Sequence, residues 1–137
     1  MKFFISGQIN DIANVRAVMR SVQEAGHEIT HDWTQTDTFL GGAEDKLANK
    51  HESGIRAAKD IQGVLDSDMY VLVSHNKEVG KGMYVELGAA LALYESSGKP
   101  SVYIIGPMNH LSVFYLHPAV IHRNTIEDVV LDLRNKE

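Results

Sequence analysis

Two carboxylates carry the chemistry open to this sequence. Glu86 follows the glycine loop Gly80-Lys81-Gly82 at the head of a helical run, Met83 to about Ser96, and a strand-like run, Met69 to Ser74, leads into that loop. Gly80 and Gly82 lack a Cβ, so backbone there can approach a ligand closely. Free N–H groups and the helix dipole favour negative charge at a helix start, which predicts an ionised Glu86 in about the first turn. In open α/β sheets ligands bind at the carboxyl ends of strands, where this loop falls. A carboxylate there is placed for chemistry on a bound ligand; the plainer alternative is a helix-start glutamate beside a tight turn. Asp60 is the second carboxylate. It stands near the end of a long helix, where its charge opposes the dipole, so helix stability alone does not account for it. The plainer alternative is a solvated surface aspartate.

Two further stretches offer binding groups. A Gly7 loop, with Gln8 and Ile9, joins the first strand to a helix and resembles half of a dinucleotide fingerprint, although G-x-G-x-x-G is absent. It reads either as a phosphate or sugar approaching backbone N–H groups or as an ordinary turn. His31-Asp32-Trp33-Thr34 ends the second strand and holds the only tryptophan. Its ring can stack on a flat base while the polar pair hydrogen-bonds, or it can cap the edge of the core.

The elements that position these residues alternate between strand and helix. Lys2 to Ser6 reads as a buried strand. Asp11 is placed to cap a helix with Ile12, Val15, Met19 and Val22 at helical spacing, ending at Gly26. His27 to Thr30 reads as a short strand. Thr36 to Gly42 has little pattern and is either a lid or a loop. Ala43 to Leu65 reads as a long helix with Leu47, Ile55, Ala58, Ile61, Val64 and Leu65 as its apolar side. Gly54 weakens its middle, so the stretch reads either as one helix or as two. Met69 to Ser74 is nearly all apolar, as a central parallel strand is. The Ala- and Leu-rich helix after Glu86 is expected to be buried, and Gly98-Lys99-Pro100 ends it. Ser101 to Ile105 and Pro118 to His122 read as the last strands, with a loop or short helix between them. Thr125 opens a final helix with Asp128 in capping-box position and Ile126, Val129, Val130 and Leu133 on one face. The pattern predicts one domain, residues 1–137, with a doubly wound, mostly parallel α/β sheet of about five strands and helices on both faces.

Composition narrows the function. With 137 residues the chain suits one domain with a real core. The net charge of −5 argues against a nucleic-acid backbone as main partner. No cysteine is present, which removes thiol nucleophiles, disulfides and thiolate metal sites. His27 and His31 are spaced four apart on a predicted strand, about 13 Å from one another, so no metal site is expected. No G-x-S-x-G elbow or P-loop appears. The apolar runs are too short to cross a membrane, and the N-terminus reaches its glycine loop too early for a signal peptide. A cytoplasmic protein without a cofactor is expected.

The order of parts resembles the nucleoside 2-deoxyribosyltransferase family and the related 2′-deoxynucleoside 5′-phosphate N-hydrolases. The resemblance rests on Phe3-Phe4-Ile5-Ser6-Gly7, on the helix end Asp60-Ile61-Gln62-Gly63-Val64-Leu65-Asp66-Ser67-Asp68 with the strand after it, and on Gly82-Met83-Tyr84-Val85-Glu86-Leu87-Gly88. It implies that Glu86 is a nucleophile attacking C1′ of a deoxyribosyl group, as in a retaining glycosidase. Asp60 would then serve the leaving base. By the same resemblance Phe4, Gly7, Gln8, Ile9, Gly80, Gly82 and Met83 line the sugar or base, and His31, Asp32 and Trp33 the base edge. A neighbouring subunit would close the site with Asn109 or Ser112, which implies a homodimer or higher homo-oligomer. Two positions depart from the family. Phe4 stands where relatives carry a tyrosine hydroxyl that orients the nucleophile, and Gly80 stands where they carry Ser or Asp. The leading expectation is N-glycosidic cleavage or transfer on a (deoxy)nucleoside or nucleoside 5′-monophosphate. The rival, motivated by Phe4 and Gly80, is a non-catalytic nucleotide-binding module.

Overall fold

The computed structural model describes residues 1–35, 42–75, 80–108 and 111–136. Its elements are β1 Lys2–Ser6, α1 Ile12–Glu24, β2 Glu28–Ile29, α2 Ala43–Ala48, α3 Lys50–Leu65, β3 Met69–Val73, α4 Lys81–Ser97, β4 Ser101–Ile105, β5 Val120–Arg123 and α5 Ile126–Asn135. Among the described residues the five strands form one sheet in the order β2-β1-β3-β4-β5, and every pairing is parallel. The doubly wound α/β expectation holds.

Alternation along the strands divides the core into two layers. Phe3 and Ile5 of β1, with Met69, Val71 and Val73 of β3, pack against α1 and α5. Phe4, Tyr70 and Leu72 face the other way, against Val64 of α3 and Met83, Leu87 and Ala90 of α4. The register sets Phe4 opposite Tyr70 and Ser6 opposite Leu72, so these four side chains share the α3/α4 face. Strand order reverses direction between β1 and β3. The crevice outside their carboxyl ends is the switch point at which such sheets bind ligands.

Several local expectations need correction. The long helix breaks at Asn49, not at Gly54, which lies inside α3 with open space around it. The predicted apolar side of this helix is largely exposed, with Leu47 at 73% and Leu65 at 48%; only Gly63 and Val64 of α3 are buried. The reason is that α3 spans a cavity over much of its length and meets the core only at its last turn. Likewise α4 buries only one side, and Val85 on the other is 64% exposed. Asp11 sits before α1 but makes no capping hydrogen bond to it; its carboxylate meets the Asn14 side chain at 3.2 Å. The capping box of Thr125 and Asp128 on α5 is present as expected. The stretch 36–41, read as a lid or a loop, lies outside the described residues.

Candidate active site

A cavity of about 460 Å³ opens beside the switch point, walled by Ile9, His31, Asp32, Trp33, Asp60 and Gly82 among others. Asp60 reaches it from α3. Asp60 Oδ1 lies 3.5 Å from His31 Nε2, and both side chains are a little over one-quarter exposed. Glu86 is only 7% exposed and, unlike Asp60, is not among the residues that line the cavity. The two carboxyls lie close enough to influence one another's protonation. On its other side Glu86 Oε1 accepts a hydrogen bond of 2.7 Å from the Ser6 hydroxyl at the end of β1.

The electrostatics correct the expectation of an ionised glutamate at a helix start. Helix α4 begins at Lys81, so Glu86 is its sixth residue and lies beyond the first turn, where the dipole acts. Burial dominates instead and pushes the Glu86 carboxyl up to about 8. The nearby Asp60 charge pushes the same way, and the Ser6 hydrogen bond offsets only part of it. Asp60 is also raised, by burial, against the opposing influence of His31. At neutral pH burial therefore favours a protonated Glu86.

The remaining candidates divide into those that face the cavity and those that do not. Ile9 is exposed in its wall, and Gly82 has open space around it, so a ligand can approach closely there. His31, Asp32 and Trp33 all face the cavity, but two of them have structural duties. The Trp33 indole N–H donates to the Ile5 carbonyl at 2.8 Å, and Asp32 accepts from the Thr34 backbone N–H at 2.9 Å. Phe4, Gly7, Gln8, Gly80 and Met83 are not in the wall. Phe4 and Met83 are core residues. Gly7 is glycine because a Cβ would lie 2.6 Å from Val15 Cγ2, and Gly80 because a Cβ would lie 2.8 Å from Gln8 Cβ. Both are close-packing positions, not openings for a ligand. Gln8 accepts from the Asn10 backbone and starts the short 3-10 turn Ile9–Asp11. Ser112 caps another such turn, Val113–Leu116, and does not line this cavity. Asn109 lies outside the described residues.

Sequence reasoning missed the cationic wall and the hydroxyls. Ser53, Arg56 and Ala57 line the cavity with Asp60, and their offsets of seven, four and three residues are one helix face. That spacing was a usable signal. Lys46 and Lys59 complete a basic rim, partly offset by Glu52, which pairs with Arg56 at 3.0 Å. Ser6 was also detectable, since it falls two residues beyond Phe4 on the same strand face.

No family model matches this sequence, and no curated protein matches it. Among solved structures it is similar to the Clostridium botulinum CMP N-glycosidase BcmB, with a TM-score of 0.55 over 100% of both chains and 15% identity. At that identity the likeness establishes the shared fold.

Proposed function

We propose that this chain cleaves the N-glycosidic bond of a (deoxy)nucleoside or its 5′-monophosphate through a covalent ester between C1′ and Glu86. The observation that carries the reading is the juxtaposition of two carboxyls, Asp60 in the wall of the cavity at the switch point and Glu86 buried next to it against Ser6. Two coupled carboxyls supply both roles such a reaction needs, one as nucleophile and one as acid.

In the reactive state the proton lies on Asp60 and Glu86 is a carboxylate. Its oxygen bonds to C1′ as the C1′–N bond breaks, and the electron pair of that bond leaves with the base. Asp60 gives its proton to the base. In the second step Asp60, now ionised, takes a proton from water as the water oxygen bonds to C1′. The C1′–O bond to Glu86 breaks and returns its electron pair to the carboxylate. Nucleoside and water become sugar and free base. A second base in place of water gives transfer. His31, 3.5 Å from Asp60, steadies the charge that Asp60 carries between the steps.

The similarity to a CMP N-glycosidase makes CMP the first substrate to test. Protein is incubated with CMP, the deoxynucleosides and their 5′-monophosphates, with and without an acceptor base, and the products are separated by chromatography. Released or exchanged base that disappears in Glu86→Ala supports the proposal; cleavage that survives Glu86→Ala removes Glu86 from the mechanism. A second copy of the chain is part of the proposal. Val85, Val113, Phe114 and Leu116 are exposed apolar residues that a partner would cover, bringing its own copy of Ser112 toward the site. The rival reading, nucleotide binding without turnover, draws on the resting protonation of Glu86, since a neutral carboxyl is a poor nucleophile. Calorimetric titration showing tight binding of a nucleotide that is never cleaved would favour it.

A further inference from the structure

The cavity continues along α3 past Asp60. Arg56 stands one turn before Asp60 and Ser53 nearly two, roughly 6 and 10 Å along the helix axis. A base held at Asp60 fills the near part of this length, and the far part holds charge. Lys46 enters the wall from α2. The Ser53 hydroxyl donates to the Lys46 carbonyl at 3.1 Å, and the Asn49 side-chain amide donates to the Asp45 carbonyl at 2.9 Å. These bonds tie the last turn of α2 to the start of α3 and keep Lys46 over the cavity. Arg56 Nε donates to Glu52 Oε1 at 3.0 Å, which orients the guanidinium. Lys59 lies three residues beyond Arg56, a neighbour on the helix surface. The carboxylates of the same wall are already engaged. Glu52 meets Arg56, Asp60 meets His31, and Asp32 accepts from the backbone N–H and hydroxyl of Thr34. Among the described residues neither Lys46 nor Lys59 forms an ion pair with a carboxylate.

We infer that the far end of the cavity is an oxyanion subsite, in which Lys46, Arg56 and Lys59 take a carboxylate or phosphate group carried by the substrate. The inference rests on the glycosidic reading for the way the ligand lies. With C1′ at Glu86 and the base at Asp60, the group that reaches Arg56 is a substituent on the outer edge of the base. With the ligand turned end for end, it is the 5′-phosphate. Arginine meets an oxyanion with N–H donors in a fixed fork, and lysine adds a point charge. Glu52 offsets one of the three positive charges, so the far end stays net positive in a chain whose overall net charge is −5. Lys46 and Lys59 are exposed, so their attraction for an anion is screened by salt. An uncharged base leaves these cations in water and gains nothing from them. The subsite therefore sets which substrate is held and takes no part in the bond-breaking step.

The test is calorimetric titration of the Glu86→Gln protein, which lacks the proposed nucleophile. The ligands are 2′-deoxycytidine, its 5-carboxy derivative, dCMP and inorganic pyrophosphate. At least one of the two anionic nucleoside ligands should bind about 10-fold more tightly than 2′-deoxycytidine. The gain should shrink to under about 3-fold when Lys46→Met or Arg56→Met is added, and also between about 50 and 500 mM salt. Lys46 and Arg56 lie outside both core layers, so neither substitution threatens the fold. A gain for the carboxy derivative identifies a base substituent as the occupant; a gain for dCMP identifies the 5′-phosphate. Where 2′-deoxycytidine binds, the subsite is overturned by the absence of any gain, or by a gain that survives both substitutions. Where no nucleoside or nucleotide binds, the glycosidic reading fails by itself and pyrophosphate decides the subsite. Pyrophosphate affinity that is lost in Lys46→Met keeps it; affinity that is absent or unchanged removes it.

Discussion

Burial pushes the Glu86 carboxyl up to about 8, beside Asp60, and this bears on both the proposed reaction and stability. Doubly protonated, the pair has no nucleophile; fully ionised, it has no acid. Cleavage measured as kcat/KM should therefore trace a bell, falling on the acid side as Asp60 protonates and on the alkaline side past about 8. A flat profile across that alkaline limb would contradict these roles. Stability carries the opposite face of the same burial. The folded chain holds the Glu86 proton up to about 8, whereas an unfolded glutamate releases it near 4.5, so the native state binds more protons in that window and loses stability as pH rises through it. Glu86→Gln should stabilise the fold by up to about 3 kcal/mol at pH 7 and by little at pH 4, read by urea denaturation at the two values. The spacing of residues identified both carboxyls as candidates. Their coupling was not legible, because burial and mutual distance arise from the packing of α3 against α4 and not from either helix alone. Phe4 was legible as a missing hydroxyl; the hydroxyl that meets Glu86 is that of Ser6, two residues on along the same strand face.

At the level of elements, two glycines of one helix make opposite predictions. Gly54 is exposed within α3 and has nothing within 4 Å of a built Cβ. Gly54→Ala should stabilise by about 0.5–1 kcal/mol through helix propensity alone. Gly63 is buried, and a Cβ there would lie 2.8 Å from the Phe4 ring and 3.0 Å from His31 Cβ. Gly63→Ala should destabilise by about 1–3 kcal/mol and also slow any cleavage, since it pushes on the residue that holds Asp60. Thermal denaturation of the two variants against the parent decides both. Strand and helix order was readable because alternation and helical spacing survive in every element. The inward face of α3 was misjudged because apolar spacing assumes that a helix packs on the core. Here much of the helix borders a cavity, and its polar residues Arg56 and Asp60 face inward.

Across the whole molecule, the order β2-β1-β3-β4-β5 puts the switch point between β1 and β3, and the proposed site there draws on Asp60 and Glu86, 26 positions apart in sequence. The exposed apolar surface of α4 and the turn at Val113–Leu116 lies outside this arrangement. Sedimentation velocity should show a dimer, and Phe114→Asp with Val85→Asp should shift it to monomer and lower activity in proportion if the site is shared. A parent that sediments as a monomer at high concentration would end that part of the proposal. Doubly wound architecture was evident from the sequence; a partner surface was not, because apolar residues on α4 read equally well as core. One consequence of the wall residues is optical. The sole tryptophan, Trp33, is anchored by its hydrogen bond to Ile5 and borders the cavity beside His31. Its emission thus reports from a single known position, so unlabelled protein carries its own fluorophore for following ligand entry in a stopped-flow experiment.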